Sequence, residues 1–330
     1  MVALYPFRFN PILKERPWGG RVLERIHGAT LVDGPIGESW QISDREEAIS
    51  IIGNGELAGR SLRWLLDNHQ DDVLGNANAA RGRFPLLVKI IDARQPLSLQ
   101  VHPPRDLAAT LQGEAKMEMW YVAQARPGAE LFAGLRLGAT RAEFETRLRD
   151  GTVMDCIHRL PIAAGDAMFV PAGRVHALGG QVVVFEIQQN SDTTYRVFDW
   201  NRVDASGHSR ELQIEEALRC IDFADFEPDL IAGLRAPPGR RTLVDEDAFR
   251  IELGTVEEMR EVPTDAAFMI LGAIGAFTVH WGDRRLLRNR LVCEPGEFCL
   301  VPACIPAVRL RGSPAARLLL IRPAVARPHF

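Results

Sequence analysis

Ala164-Gly165-Asp166-Ala167-Met168-Phe169-Val170-Pro171-Ala172 has an echo later in the chain, Pro295-Gly296-Glu297-Phe298-Cys299-Leu300-Val301-Pro302-Ala303. Each copy is a glycine-acid turn that enters a short apolar strand, and a proline ends the pairing. A unit used twice predicts a mainly β chain made of two jelly-roll β-sandwiches. Carrying the register forward sets Ala307 opposite His176, so one unit would hold a histidine and the other none. The likeness covers only about nine positions, so a shared turn-strand motif is a fair alternative to it.

Upstream of the first copy, Phe84-Pro85-Leu86-Leu87-Val88-Lys89-Ile90-Ile91 is a continuous apolar run and reads as a buried strand. Ser98-Leu99-Gln100-Val101-His102-Pro103 follows. Side chains alternate along a strand, so Ser98, Gln100 and His102 project to one side, and Pro103 then ends the pairing. A segment that aims a carboxamide and an imidazole into one space is half of a metal site. Met117-Glu118-Met119-Trp120-Tyr121-Val122 is another strand, with Glu118 opposite in face to its two methionines. His176 stands after the Pro171-Ala172-Gly173 turn at the start of a further strand. Gln100, His102, Glu118 and His176 offer two nitrogens and two oxygens, a set suited to a borderline divalent cation such as zinc. On strand position alone a hydrogen-bonded structural histidine is the commoner case. His27, His69, His158, His208, His280 and His329 lack such neighbours and read as surface or packing residues.

Elsewhere the pattern is turns, strands and a few short helices. Trp40 and Ile42 alternate with Ser39, Gln41 and Ser43, which predicts a strand with one buried face. Ser61 reads as the N-cap of a helix over Leu62–Leu74 that Gly75 stops. Thr140-Arg141-Ala142-Glu143 has the form of a capping box and opens a helix ending near Gly151. Gln181 to Gln189 reads as mostly strand, and Glu211 to Cys220 as a helix with Leu212, Ile214 and Leu218 as its apolar positions. Arg235-Ala236-Pro237-Pro238-Gly239-Arg240-Arg241 is the best linker, dividing residues 1–235 from 236–330. Gly282-Asp283 marks a turn between two apolar runs.

The bulk numbers narrow the partners. At 330 residues the chain is long for one core. A net charge of −4 argues against nucleic acid or an anionic membrane as the main partner, though local arginines and lysines can still bind a small anion. The five cysteines, Cys156, Cys220, Cys293, Cys299 and Cys304, form no CxxC pair and read as buried thiols of a reducing compartment. Met1-Val2-Ala3-Leu4-Tyr5-Pro6 has no basic-then-apolar signal pattern, so a cytoplasmic location is expected.

Glu186-Ile187-Gln188-Gln189-Asn190-Ser191-Asp192-Thr193-Thr194-Tyr195-Arg196 is the stretch richest in chemistry. Glu186 and Gln188 share a strand face, and a polar turn then leads to Arg196. A planar guanidinium suits phosphate, or charge developing on a sugar oxygen. The alternative is a surface pair of Arg196 with Asp192 or Asp199, worth about 0–1 kcal/mol.

Taken together, Lys14-Glu15-Arg16-Pro17-Trp18-Gly19-Gly20, Gly37-Glu38-Ser39-Trp40, Phe84 to Pro103, Glu118-Met119-Trp120-Tyr121, Val170 to Gly179 and Glu186 to Arg196 resemble the short bacterial form of the type I phosphomannose isomerases. The six stretches run in family order across nearly all of residues 1–210. The resemblance implies two cupin-type β-barrels, one zinc ion per chain, and interconversion of mannose 6-phosphate and fructose 6-phosphate through an enediol. It puts the metal ligands on Gln100, His102, Glu118 and His176. Phosphate-binding and catalytic positions fall on Ser98, Lys116 and Arg196, and Glu186 and Asp192 match acidic positions of the family pocket. A small-molecule sugar phosphate is then the partner, with the chain a monomer or weak homodimer. Pro104-Arg105, where acidic residues are usual, and Met117, where a small residue or proline is usual, depart from the family pattern near the ligands. Three rivals stay open: an isomerase of another sugar phosphate, a non-haem iron oxygenase using the two histidines and the carboxylate, and a sugar-phosphate-binding protein without turnover.

Overall fold

A computed structural model describes residues 3–28, 34–77, 82–203, 207–231, 240–283 and 289–324. The strands form two β-sandwiches. In the first, a six-stranded sheet runs in the order Ile12–Gly20, Ile36–Ile42, Leu86–Ala93, Val182–Gln189, Glu118–Ala125, Ala167–Val170. It faces a five-stranded sheet ordered Tyr195–Phe198, Leu99–Val101, His176–Leu178, Glu130–Leu135, Ile157–Pro161. The second sandwich pairs a five-stranded sheet with a four-stranded one, all from residues 241–323. Each unit is two separate hydrogen-bonded ladders face to face, so the expected barrels are open sandwiches.

The nine-residue echo is structural. Gly165 (φ 92°) and Gly296 (φ 90°) both adopt a left-handed turn that glycine alone takes without strain. Their backbone N–H groups donate to Val122 O at 2.7 Å and Ala273 O at 2.8 Å, and the strands Ala167–Val170 and Phe298–Val301 then pair with the equivalent central strands. His176 and Ala307 each open the next strand, as the register required. The interior of the second sandwich is filled by apolar side chains, among them Met269, Leu271, Val279, Cys299, Val308 and Leu320, where the first unit has its polar cluster.

The six-stranded sheet is covered on both faces. Ile91, Ala93, Trp120, Val122 and Val184 point into the first sandwich. Val88, Ile90, Met119, Phe185 and Ile187 point outward, onto Leu62, Leu65 and Leu66 of the helix Leu62–Leu74 and onto Phe268 and Phe298 of the second unit. This explains the unbroken apolar run, and it corrects the expectation of one buried face for the segment around Trp40: every residue of Ile36–Ile42 is buried. The two units join through apolar contact. Phe84 and Phe268 rings lie 4.6 Å apart, and Gly75 bridges to Ala267, where a Cβ would stand 2.2 Å from Ala266 O.

Local signals held with small shifts. Ser61 Oγ accepts from Trp64 N at 3.0 Å and caps the helix Leu62–Leu74, which is kinked at His69. Thr140 Oγ1 accepts from Glu143 N at 3.1 Å, while the Glu143 carboxylate turns to Arg147, so only half of the capping box forms. The late helix is Ile214–Cys220, shorter than expected: Gln213 is drawn off to hydrogen-bond Arg196, and Leu212 is exposed. The strand read from Ser98 to His102 shortens to Leu99–Val101. Four cysteines are buried, but Cys304 is exposed. Residues 235–239 of the expected linker, the segment 284–288 after Gly282-Asp283, and His329 lie outside the described residues. The strands flanking Gly282-Asp283, Phe277–Trp281 and Arg290–Cys293, pair antiparallel. Among the described residues no helix is long and apolar enough to cross a membrane.

Candidate active site

Register sets out the site in two facing rows. In the five-stranded sheet Ala133, His176, Gln100 and Arg196 are successive cross-strand partners. In the six-stranded sheet Lys89, Glu186 and Trp120 form one such row and Gln188 pairs with Glu118 in another. Rows on the inner faces of a sandwich point at each other. His102 joins them from just beyond its strand, where Gly173 N donates to His102 O at 3.0 Å and ties the two histidine loops together.

His102, Glu118 and His176 are wholly buried, with one donor atom of each lying within 4.8 Å of the others. His102 Nε2 is 3.3 Å from Glu118 Oε2, and His176 Nε2 is 3.4 Å from Glu118 Oε1. Each histidine gives its Nδ1 proton to a backbone carbonyl: Thr193 O at 2.9 Å for His102 and Arg174 O at 2.8 Å for His176. Both Nε2 atoms are therefore bare lone pairs aimed at a carboxylate. His102 Nε2 and Glu118 Oε1 make no hydrogen bond of acceptable geometry. Acceptors that converge without a proton between them fit a cation. The Gln100 carboxamide nitrogen is 3.3 Å from His176 Nε2; turning the amide over presents its oxygen as a fourth donor.

The charges follow. Burial, then the neighbouring His102, pushes His176 down to about 3. Burial and Lys116 lower His102 as well, so both imidazoles are neutral. Burial alone would raise Glu118, but Lys116, 2.8 Å from Oε2, and the two histidines hold its carboxyl well below the ordinary range.

Beside this cluster opens a cleft of about 380 Å³ lined by Ser98, Gln100, Lys116, Glu186, Asp192 and Arg196 among others. All nine expected site residues thus lie in one region: three in the cluster, and Gln100 and Lys116 lining the cleft against it. Arg196 makes no ion pair with any described residue, because Asp199 is taken by Arg202 and Asp192 lies 3.6 Å from Lys89. The surface-pair alternative is thereby set aside. Pro104, Arg105 and Met117 do not line the cleft; Arg105 is exposed and Met117 packs against the core.

A family model for phosphomannose isomerase type I, catalytic domain, matches residues 7–155. The Bacillus subtilis protein named "Probable mannose-6-phosphate isomerase GmuF" is 31% identical over 315 residues, 94% of this chain and 97% of the relative. The chain belongs to the type I phosphomannose isomerase family. Mannose-6-phosphate isomerase ManA of the same organism is 37% identical over 219 residues, 66% of this chain and 68% of its own. The crystal structure of a mannose 6-phosphate isomerase from Bacillus subtilis superposes with a TM-score of 0.81 at 27% identity, covering 96% of this chain and 99% of the other.

In this phosphomannose isomerase fold the cleft also holds residues that sequence reading passed over: Lys89, Glu38, Arg16 and Arg210. Lys89 Nζ lies 3.3 Å from Glu186 Oε1 and 4.9 Å from the centre of the Trp40 ring. Burial would lower its pKa, yet Glu186, Glu38 and Asp192 raise it above the ordinary lysine value. Burial and then Glu118 raise Glu186, against the pull of Lys89, and Trp120 Nε1 donates to Glu186 Oε2 at 2.9 Å. Burial works to raise Asp192 too, but Lys89 and Lys116 hold it low. The signal for Lys89 was available: a lone lysine inside an apolar strand run needs a buried counter-ion.

Proposed function

We propose that the cleft interconverts mannose 6-phosphate and fructose 6-phosphate through an enediol. The observation that carries this reading is the convergence of two bare imidazole nitrogens and a carboxylate, wholly buried, on the edge of a cleft where Arg196 has no ion pair with any described residue. His102, Glu118 and His176, with Gln100 as fourth donor, would hold one Zn²⁺ per chain. That ion supplies Lewis-acid polarisation of the substrate's carbonyl and hydroxyl oxygens.

The chain's own residues account for the rest. Ser98 and Arg196 bind the phosphate end and orient the sugar. Lys116, buried and next to Glu118, adds positive charge where negative charge grows on the enediolate oxygens. Glu186 moves the proton from C2 to C1. Its carboxyl is raised toward neutrality, as suits a base that must also return the proton, whereas Asp192 is held low and open to solvent at the mouth. Asp192 keeps Lys89 charged and in place.

We read residues 1–235 as the catalytic unit and 236–330 as a cupin-like unit without ligands, in a cytoplasmic monomer or weak homodimer that uses neither nucleic acid nor membrane as a partner. The apolar interior of the second sandwich supports the division of labour. A coupled assay for fructose 6-phosphate, with and without a chelator, in deuterated solvent tests the function. Expected are turnover that a chelator abolishes and zinc restores, and solvent deuterium at the reacting carbon. Binding of mannose 6-phosphate without turnover or exchange would replace the isomerase by a binding protein, and oxygen uptake with bound iron would replace it by an oxygenase.

A further inference from the structure

One guanidinium in the cleft belongs to no motif of the sequence. Arg210 reaches the cleft wall from the segment before the helix Ile214–Cys220. That segment is stitched to the strand carrying Arg196: Arg196 N donates to Gln213 Oε1 at 3.2 Å, and Gln213 N donates to Arg196 O at 3.0 Å. The two arginines are thereby brought close together in the cleft wall.

Their charges are poorly matched by protein. Arg196 has no ion pair with any described residue, and its buried Nε makes no hydrogen bond. Arg210 has Asp199 Oδ2 at 3.6 Å, too long for a hydrogen bond, and Asp199 is bound more closely by Arg202. Burial, and after it the charge of Arg196, pulls the Arg210 guanidinium below its ordinary value, which reports two cations close together with too little anion between them. Side chains that repel one another in a half-buried wall are held there by the fold, and a dianion between them removes the repulsion.

We propose that Arg210 is a substrate-binding residue that, with Arg196, clamps the phosphate of the sugar phosphate in this part of the cleft. With the phosphate held there, C6 lies between the arginines, and C1 and C2 are left to reach Glu186 and the histidine cluster. Asp199 supports Arg210 from behind without neutralising it, which keeps the fork charged and aimed. This assignment rests on the sugar-phosphate reading of the cleft.

The test compares wild-type holoenzyme with Arg210→Gln and Arg210→Lys. Steady-state kinetics give KM and kcat for mannose 6-phosphate, calorimetry gives the affinity for inorganic phosphate, and thermal melts and zinc content confirm an intact fold. For Arg210→Gln the expectation is a KM and a phosphate Kd each raised about tenfold or more, with kcat falling far less. Arg210→Lys should recover part of the phosphate affinity, since it keeps the charge and loses the fork. An unchanged phosphate Kd in a folded Arg210→Gln protein overturns the assignment, and so does a fall in kcat with KM untouched. Phosphate binding is measured without turnover. If the wild type binds phosphate through Arg210 but isomerises nothing, the clamp stands and the isomerase reading falls.

Discussion

Replacing Lys89 by methionine removes the cation on which the buried side of the cleft is balanced. Lys89 and Glu186 side chains are each only 5% exposed and lie 3.3 Å apart. At an effective dielectric of about 20, opposite charges at 3.3 Å attract by about 5 kcal/mol. Relief of the desolvated ammonium offsets part of that, and methionine keeps a similar shape against the Trp40 ring. The net loss expected is about 3–5 kcal/mol, the usual cost of leaving one member of a buried pair alone. Its pH dependence is the sharper signature. Without Lys89 the Glu186 carboxyl, already raised, rises further. A group whose folded pKa exceeds its unfolded one contributes stability at low pH and loses it as pH climbs to the folded value. The deficit of Lys89→Met should therefore be small at acid pH, where Glu186 is protonated in both proteins, and grow by up to about 1.4 kcal/mol per pH unit once the pH passes the raised wild-type value of Glu186. Urea unfolding of both proteins at pH 5 and pH 8 reads this directly, and Lys89→Met/Glu186→Gln should regain most of the loss. A deficit equal at both pH values, or a double variant no better than the single one, would refute the balance described.

Arg196→Ala should raise KM for mannose 6-phosphate about tenfold or more while zinc stays bound, measured by kinetics and metal analysis on the same sample; loss of zinc would mean that Arg196 supports the metal cluster instead. His102 and His176 have folded pKa values below the ordinary one, so their share of stability is present above about pH 6.5 and lost as pH falls. Metal-free protein should lose about 1.4 kcal/mol per pH unit for each histidine on acidification, and His176→Gln should roughly halve that slope in urea titrations. Ser61→Ala should cost about 1 kcal/mol through its helix cap and leave kcat and KM alone, since the capped helix packs on the outer face of the sheet; a change in KM would contradict that placement.

What the sequence makes legible is local. A glycine that must take a positive φ, as Gly165 and Gly296 do, leaves its mark whatever surrounds it, so the repeat and the two sandwiches can be read from nine residues. The ligand set is legible for a similar reason. Gln100 lies in the strand Leu99–Val101 with His102 just past its end, and Glu118 and His176 stand at strand starts, so their faces follow largely from backbone geometry. The sequence is a worse guide to element ends, because Gln213 bonds to Arg196 at the helix start and His102 O accepts from Gly173 N just past the strand Leu99–Val101.

The residues missed share one property: their meaning depends on which element lies across from them. Nothing near Lys89 in sequence says that Glu186, nearly a hundred positions on, is its register partner. Nothing near Arg210 says that Arg196 is bound to the same short segment through Gln213. The same is true of the six-stranded sheet, whose second face is covered by a helix and a sandwich remote in the chain, so that alternation in Ile36–Ile42 carries no information about burial. The cleft follows from this arrangement. A sheet covered on both faces is stiff, and a stiff sheet can hold Lys89, Glu118 and Glu186, charges that repel or attract across a few ångströms, in positions a one-sided sheet would relax. On this view the second sandwich acts on the cleft by packing the outer face of its five-stranded sheet, Phe249, Ile270 and Phe298 among its side chains, against the back of the six-stranded sheet.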